Sequence, residues 1–381
     1  MVVAAKPTTQ NGDKHMKTTD KYVGLDVHKD TTVIAVAEAT REGEVRVYGS
    51  IPSDLQSLER VLRRLGGEGV RLRVVYEAGP TGFGLARFLA SAGIGCQVAA
   101  PSKLLRPGGD RVKTDARDAR HLARLLHMGQ VVAVAVPEAA TEAARDLVRA
   151  REDVRGDLMS ARHRVSKLLL RQGIVYSGGT AWTGVHDTWL RARRFDSTAL
   201  QLAFDTSYET MLAAVDRRDR LDAAIAVMAA DSAFTPVVTR LGCLRGISTL
   251  TSFALAVEIG DWDRLTGRSI GAYLGLVPTE YSSGGSRSQG GITKTGNAHA
   301  RRLLIEAAWH HRQPYRAPGV DLRRRWDAAS PAARDRGRRA NRRLHERWAA
   351  FDARGKRPVV ANTAIARELA GWCWSLATLQ D

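Results

Sequence analysis

Four acidic residues and one serine-bearing loop hold the chemistry that this chain's residue types permit. Asp115 and Asp118 stand three apart in the run Lys113–Leu126 (KTDARDARHLARLL), which is made of good helix formers. On a helix that spacing turns both carboxylates to one face, roughly 5–6 Å apart at Cβ. Like charges so close repel unless a cation lies between them. Lys113, Arg117, Arg120 and Arg124 surround the pair, so a solvated helix with local Asp–Arg pairing is one reading. Two acids upstream argue for another. Asp26 and Glu77 each close a β-rich run. Convergent carboxylates offer the hard oxygen ligands that Mg²⁺ or Mn²⁺ takes. Two such ions roughly 3.5–4 Å apart can clamp the attacking and leaving oxygens of a phosphodiester. Far downstream, Pro278–Arg302 is poor in apolar residues and carries Ser282, Ser283, a set of glycines and the cations Lys294, Arg301 and Arg302. That composition suits a flexible Gly/Ser loop, or a seryl nucleophile among cations that attacks a phosphodiester.

The elements that must position these residues follow from periodicity. Lys21–Val27, Thr31–Glu38 and Glu44–Tyr48 read as three strands with connections short enough for an antiparallel meander. Residues 54–65 carry Leu55, Leu58, Val61, Leu62 and Leu65 at helical spacing, with Asp54 as N-cap. A fourth strand, Arg71–Tyr76, ends at Glu77. Helix Phe83–Ala92, strand Gly95–Ala99, a Pro/Gly-bearing loop and the Asp115/Asp118 helix complete the order βββαβαβα.

Beyond residue 137 the pattern is helical. Ala140–Arg171 has an apolar seam of Leu147, Val154, Leu158, Val165 and Leu168–Leu170, with Arg151, Arg155 and Arg162 among the cations around it. Such a seam predicts a coiled coil or helical hairpin. Its basic face either follows a nucleic-acid backbone or is simply solvated. Thr198–Ala230 is expected to pack back on it. Thr239–Leu265 holds a Leu-Arg-Gly-Ile turn between two apolar halves. It resembles a helix-hairpin-helix that holds phosphate with backbone N–H groups, and equally a structural αα-turn. Residues 313–353 are Arg-dense, with Trp326 and Trp348. They suit nucleic-acid binding with rings stacked on bases, or a helical insertion packed on the terminal helix.

Lys plus Arg is 58 against 40 for Asp plus Glu, a net charge of +18, which favours a polyanionic partner. With 44% hydrophobic residues the chain can bury a full core. No apolar run reaches the roughly 18 residues of a membrane span. Residues 1–20 are polar and read as a disordered tail without a signal-peptide core. Cys96, Cys243 and Cys373 are scattered, neither a disulfide framework nor a zinc pattern, and fit a reducing cytoplasm.

The order of acids within βββαβαβα resembles the RNase H-like, RuvC-type nuclease core, where four acids converge on divalent metal at one end of the sheet. The whole chain resembles the insertion-sequence one-ten family of transposases. The residues that carry the resemblance are Gly24-Leu-Asp26-Val-His28-Lys29, Tyr76-Glu77-Ala78, Lys113-Thr114-Asp115-Ala116-Arg117-Asp118-Ala119, Gly275-Leu-Val-Pro278, Ser282-Ser283-Gly284 and Ile292-Thr293-Lys294-Thr295-Gly296-Asn297.

The resemblance implies an α/β plus α architecture. Residues 21–136 would be a RuvC-like DEDD domain with a mixed sheet, 137–235 a helical coiled-coil linker, and 236–381 a mainly helical transposase domain. It implies Asp26, Glu77, Asp115 and Asp118 as metal-binding catalytic acids, and Ser283, directly before Gly284, as nucleophile, with Ser282 the neighbouring candidate. It further implies donor and target DNA and a structured noncoding guide RNA as partners. A dimer pairing into a tetramer on DNA, in a nucleoid-associated cytoplasmic setting, is expected. Lys113, Arg117, Arg151, Arg155, Arg162, Lys294, Arg301 and Arg302 are the expected nucleic-acid contacts. Two other functions compete: a metal-dependent nuclease or junction resolvase without a covalent serine, and a non-enzymatic nucleic-acid-binding protein.

Overall fold

The computed structural model describes residues 19–39, 44–105, 114–283 and 285–380. Lys113, Gly284 and nearly all of the expected tail lie outside them. The chain divides into two compact units, Met1–Pro137 and Glu138–Asp381.

In the first unit, β1 (Thr19–Val27), β2 (Thr31–Glu38) and β3 (Val45–Pro52) form the antiparallel meander. Helix α1 (Leu55–Leu65) then crosses over to β4 (Val70–Glu77), which lies parallel to β1. Helix α2 (Gly84–Ser91) leads to β5 (Gly95–Ala99), parallel to β4. The sheet is mixed, in the order β3-β2-β1-β4-β5. β1 sits at its centre, flanked on both sides, so Val23 and Leu25 are fully buried. Asp54 does cap α1, accepting from the Ser57 amide at 2.7 Å. On one face Leu58, Val61, Leu62 and Leu89 pack on Val23, Leu25, Val74 and Tyr76. The other face receives α3 (Asp115–His127) through Ala119, Ala123 and Leu122.

The second unit is mainly helical. Helix α4 (Ala139–Arg171) and α6 (Thr198–Ala230) each run 33 residues, about 50 Å. They pack together through Leu158, Ala161, Val165, Phe204, Tyr208 and Met211, with α5 (Gly184–Arg191) adding Leu190. The expected seam is therefore a helical pair, although Leu170 stays 53% exposed. Helices α7 (Thr235–Leu241) and α8 (Thr249–Ile259) flank the Leu-Arg-Gly-Ile turn. That turn is built inward. The Arg245 amide donates to Asn341 Oδ1 at 2.8 Å, and the Ile247 amide to Leu244 O. A Cβ on Gly246 would lie 2.5 Å from Ala307 O. These contacts favour the structural αα-turn over a phosphate-holding one.

After α9 (Ile270–Tyr273) the segment expected to be loop forms a hairpin, β6 (Pro278–Glu280) with β7 (Gln289–Ile292). Helices α10 (Ala298–Ala308), α11 (Val320–Asp327), α12 (Pro331–Ala353) and α13 (Pro358–Ala377) close the chain. The Arg-dense insertion is packed rather than splayed for base stacking. Trp348 is 1% exposed, Trp326 donates from Nε1 to Cys243 O at 3.0 Å, and Arg343 and Arg347 pair with Glu368. Among the described residues no single helix is long and apolar enough to cross a membrane.

Candidate acidic centre and serine hairpin

The acidic centre is built by one close contact. An added Cβ at Gly24 would stand 2.3 Å from Ala119 O and 2.4 Å from Ala123 N. Only glycine lets α3 lie directly on β1. The Ala119/Ala123 face of α3 is the matching flat side, and Thr114 caps the helix by accepting from the Arg117 amide. Asp115 and Asp118 occupy its first turn, where the helix dipole favours negative charge. Two residues past Gly24, on the same face of the strand, is Asp26.

His28 joins the centre. Its Nε2 is 3.2 Å from Asp26 Oδ2 and 3.6 Å from Asp115 Oδ1. Among the described residues, ligand-capable atoms of Asp26, His28 and Asp115 all lie within 4.8 Å of one another. Asp118 adds its charge from nearby. Glu77 sits one residue beyond Tyr76, which pairs with Leu25, so it ends β4 beside Asp26 on β1. Its carboxylate is outside the closest group. Burial holds the Asp26 carboxyl above the usual range for Asp; the nearby imidazole of His28 works against this, and the charges of Asp118 and Asp115 add to it. A half-buried carboxylate among like charges, steadied by one imidazole, has the donor set and the electrostatic deficit that a hard divalent ion relieves. In the sequence His28 stands only as a member of the Gly24–Lys29 motif; its approach to two acids needed the fold.

The serine-bearing segment is the tip of the β6–β7 hairpin. Ser283 opens the turn, and its carbonyl accepts from the Ser286 amide at 3.2 Å. Ser282 Oγ donates to Glu280 Oε1 at 2.9 Å. Glu280 also accepts from Gln289 and Arg287, and these donors hold its carboxyl below the usual range, the Ser282 hydroxyl first. The expected cations are not at this tip. Lys294 follows the base pair Pro278–Ile292, five residues or more along the hairpin from Ser283, roughly 15–20 Å at strand rise. Lys294 is also one of two non-glycine residues with positive φ among the described residues, at 55°. Arg301 donates to Leu274 O at 3.0 Å and Thr295 O at 2.8 Å, holding that base closed. Arg302 is paired with Glu152 at 2.5 Å and Glu306 at 2.7 Å.

The expected helical contacts are also engaged. Arg151 makes a two-pronged pair with Asp222 of α6, at 2.6 and 3.1 Å. Arg155 pairs with Glu152, and Arg162 lies over the Trp182 ring at 5.1 Å. Arg117 stands in the first turn of α3, exposed, on the helix that carries the two aspartates.

A buried acid that sequence reasoning did not single out lies at the heart of the second unit. The Glu258 side chain is 0% exposed. It accepts from Arg149 Nε and Nη2 at 3.1 and 2.9 Å, and from Asn297 Nδ2 at 2.7 Å. His299 Nδ1 lies 3.1 Å away. Although burial opposes the charge, the bonds to His299, Arg149 and Asn297 hold the carboxyl down to about 2. Its only advance signal was an acid inside an otherwise apolar helix.

Comparison with known proteins gives the family. Residues 23–173 match the DEDD transposase model of the IS110 group, and residues 238–318 match the family described as "Transposase IS116/IS110/IS902 family". The chain is 40% identical over 361 residues to the y4qE protein of Sinorhizobium fredii, covering 94% of this chain and 88% of that one. It is 32% identical over 297 residues to the transposase for insertion sequence element IS1533 of Leptospira borgpetersenii, covering 77% and 86%. A shorter stretch of 70 residues is 44% identical to the IS1328 transposase of Yersinia enterocolitica, covering 18% and 21%. A DEDD-type transposase, an enzyme that cuts and rejoins DNA, is the class that the matches define, and the mixed sheet fits it. The chain belongs to the IS116/IS110/IS902 transposase family.

Proposed function

We propose that this transposase moves its own insertion sequence with two chemical centres. One is an RNase H-like acidic site of Asp26, Glu77, Asp115 and Asp118 that holds Mg²⁺ or Mn²⁺. The other is a seryl nucleophile, Ser283. The observation that carries the reading is the meeting of Asp26, His28 and Asp115 at the end of the sheet, with ligand atoms within 4.8 Å. A divalent ion held there supplies Lewis-acid stabilisation of charge developing on oxygen. The chain's own residues prepare the site. His28 bridges the acids, and the Gly24 contact fixes the carboxylates of α3 against β1. Ser283 attacks phosphorus to give a 5′-phosphoserine link, which conserves the diester for rejoining.

Acids and serine belong to different units of the chain. The reading therefore takes a dimer, pairing into a tetramer on DNA, as the working assembly. A structured noncoding RNA that pairs with donor and target DNA is the proposed guide. The net charge of +18 supports polyanionic partners.

The test is a denaturing gel of labelled DNA after incubation with each variant. Ser283→Ala is expected to keep DNA and RNA binding and form no protein–DNA adduct, while Ser282→Ala still forms it. The reverse result moves the nucleophile by one residue. The second reading is a metal-dependent nuclease or junction resolvase without a covalent serine. It is favoured by the distance between Ser283 and the cations at the hairpin base. It expects metal-dependent cleavage that survives Ser283→Ala, with no adduct from the unaltered protein.

A further inference from the structure

On the reading that Ser283 attacks DNA, we infer that Arg287 is the cation that receives the scissile phosphate. Gln289 and Ser282 are its neutral co-donors, and Glu280 occupies the place of the phosphate until DNA arrives. Three unlike donors converge on that one carboxylate. Ser282 Oγ reaches Oε1 at 2.9 Å. Arg287 Nε is 3.3 Å from Oε1, and its Nη2 is 3.4 Å from Oε2. Gln289 Nε2 reaches Oε2 at 3.2 Å. A guanidinium fork, an amide and a hydroxyl are also the groups that take the non-bridging oxygens of a phosphodiester.

Nothing in the fold commits these groups to one another. Arg287 is 70% and Glu280 42% exposed, and an ion pair in open solvent is weak and readily exchanged. The set also lies at the serine-bearing tip of the hairpin. Arg287 directly follows Ser286, whose amide donates to the Ser283 carbonyl at the hairpin tip. The other cations of the segment are excluded by their positions. Lys294 is at the far end of the hairpin. Arg301 is spent on the Leu274 and Thr295 carbonyls, and Arg302 on Glu152 and Glu306.

The reaction is a transesterification. The bond from Ser283 Oγ to phosphorus forms and the bond from phosphorus to O3′ breaks. The seryl oxygen gives up its proton and O3′ takes one up, so no oxidant or reductant is involved. Charge rises on the non-bridging oxygens as phosphorus becomes five-coordinate. Arg287 meets that charge by exchanging Glu280 for phosphate. Glu280 then repels the incoming group slightly. It competes with DNA for Arg287.

A bracing role for the same ion pair makes the opposite prediction about Glu280, which gives the test its sign. Full-length protein is incubated with RNA transcribed from the flank of its own element and a labelled duplex spanning that element's junction. Single-turnover adduct formation is then followed at saturating and at limiting DNA. Arg287→Ala is expected to slow the saturating rate at least tenfold, and Arg287→Lys to recover part of it. Glu280→Gln is expected to match the unaltered protein at saturation and to exceed it several-fold at limiting DNA. The proposal is overturned if Arg287→Ala stays within twofold of the unaltered protein, or if Glu280→Gln is as slow as Arg287→Ala, which is the outcome of a brace. If the unaltered protein cleaves yet forms no adduct, the seryl reading itself fails and this proposal with it. An adduct that needs Ser283 but not Arg287 removes only the arginine.

Discussion

Among the described residues, two carboxylate–histidine clusters have similar make-up and opposite character. At the end of the sheet, Asp26 and Asp115 share one imidazole, His28, and Asp118 adds a further negative charge. In the second unit, Glu258 alone draws on a bidentate guanidinium, an amide and an imidazole that also faces Glu152. In the first cluster burial, with the like charges of Asp118 and Asp115, drives Asp26 toward its neutral form. The second is over-supplied with donors, and its acid stays ionised to about pH 2. A folded chain leaves an electrostatic deficit where something from outside is to bind, and closes one where a strut is needed. Residue type alone does not separate the two cases; the partners do.

The largest expected effect breaks the comparison on the activity side. Asp115→Asn or Asp26→Asn should lower strand exchange by at least 10³-fold, about 4 kcal/mol of transition-state stabilisation. The melting temperature should hold or rise, because a repulsive charge is removed. Full activity in either variant, or in excess chelator, would sink the metal reading.

Next comes stability. Glu258→Ala strands the Arg149, Asn297 and His299 donors around an apolar gap and should cost about 2–4 kcal/mol, measured by urea unfolding of the full chain. The pH dependence has the opposite sign at the two clusters. The folded carboxyl of Glu258 lies below its usual 4.5, so its contribution is complete above pH 4.5 and is lost as pH falls toward 2. That of Asp26 lies above its usual 3.8, so the metal-free protein loses a little stability as pH rises through that range. A Glu258→Gln unfolding curve as steep as that of the unaltered protein between pH 4.5 and 2 would contradict this assignment.

The smallest effect concerns the long helices. Because Arg151 and Arg155 are already paired with Asp222 and Glu152, neutralising Arg151, Arg155 and Arg162 together should lower stability while barely changing the salt dependence of DNA binding. A slope reduced by the full ~0.9 per arginine would mean that these pairs open onto nucleic acid.

Much of the first unit was legible because short-range signals agree there. Alternation, an Asp54 cap and brief connections dictate the meander and α1, and the acids fall at strand and helix ends. The serine hairpin was not legible. β6 and β7 pair through backbone atoms along Gly- and Ser-rich sequence with little apolar alternation. The fate of the arginines was hidden for another reason. Arg151 finds Asp222 across 71 residues, and Arg149 finds Glu258 across 109, so a run of cations in sequence looks free until its partners fold onto it. Trp348 misled in the same way: an aromatic inside an Arg-dense stretch suggests stacking on bases, and it is buried.

The contact at Gly24 sets a tolerance on the whole enzyme. With backbone atoms of α3 at 2.3 and 2.4 Å from where a side chain would begin, a single methyl group there must push the helix off the strand by about an ångström. The domain would absorb that as modest overpacking, about 1–3 kcal/mol. The carboxylates would not, since a misplacement of about 1 Å can cost on the order of 10²-fold in rate. On the proposed acidic site, a copy of the element with Gly24→Ala would thus make a protein that holds its nucleic acid but moves the element on the order of 10²-fold more slowly: a slow occupant that competes with active copies for their own ends.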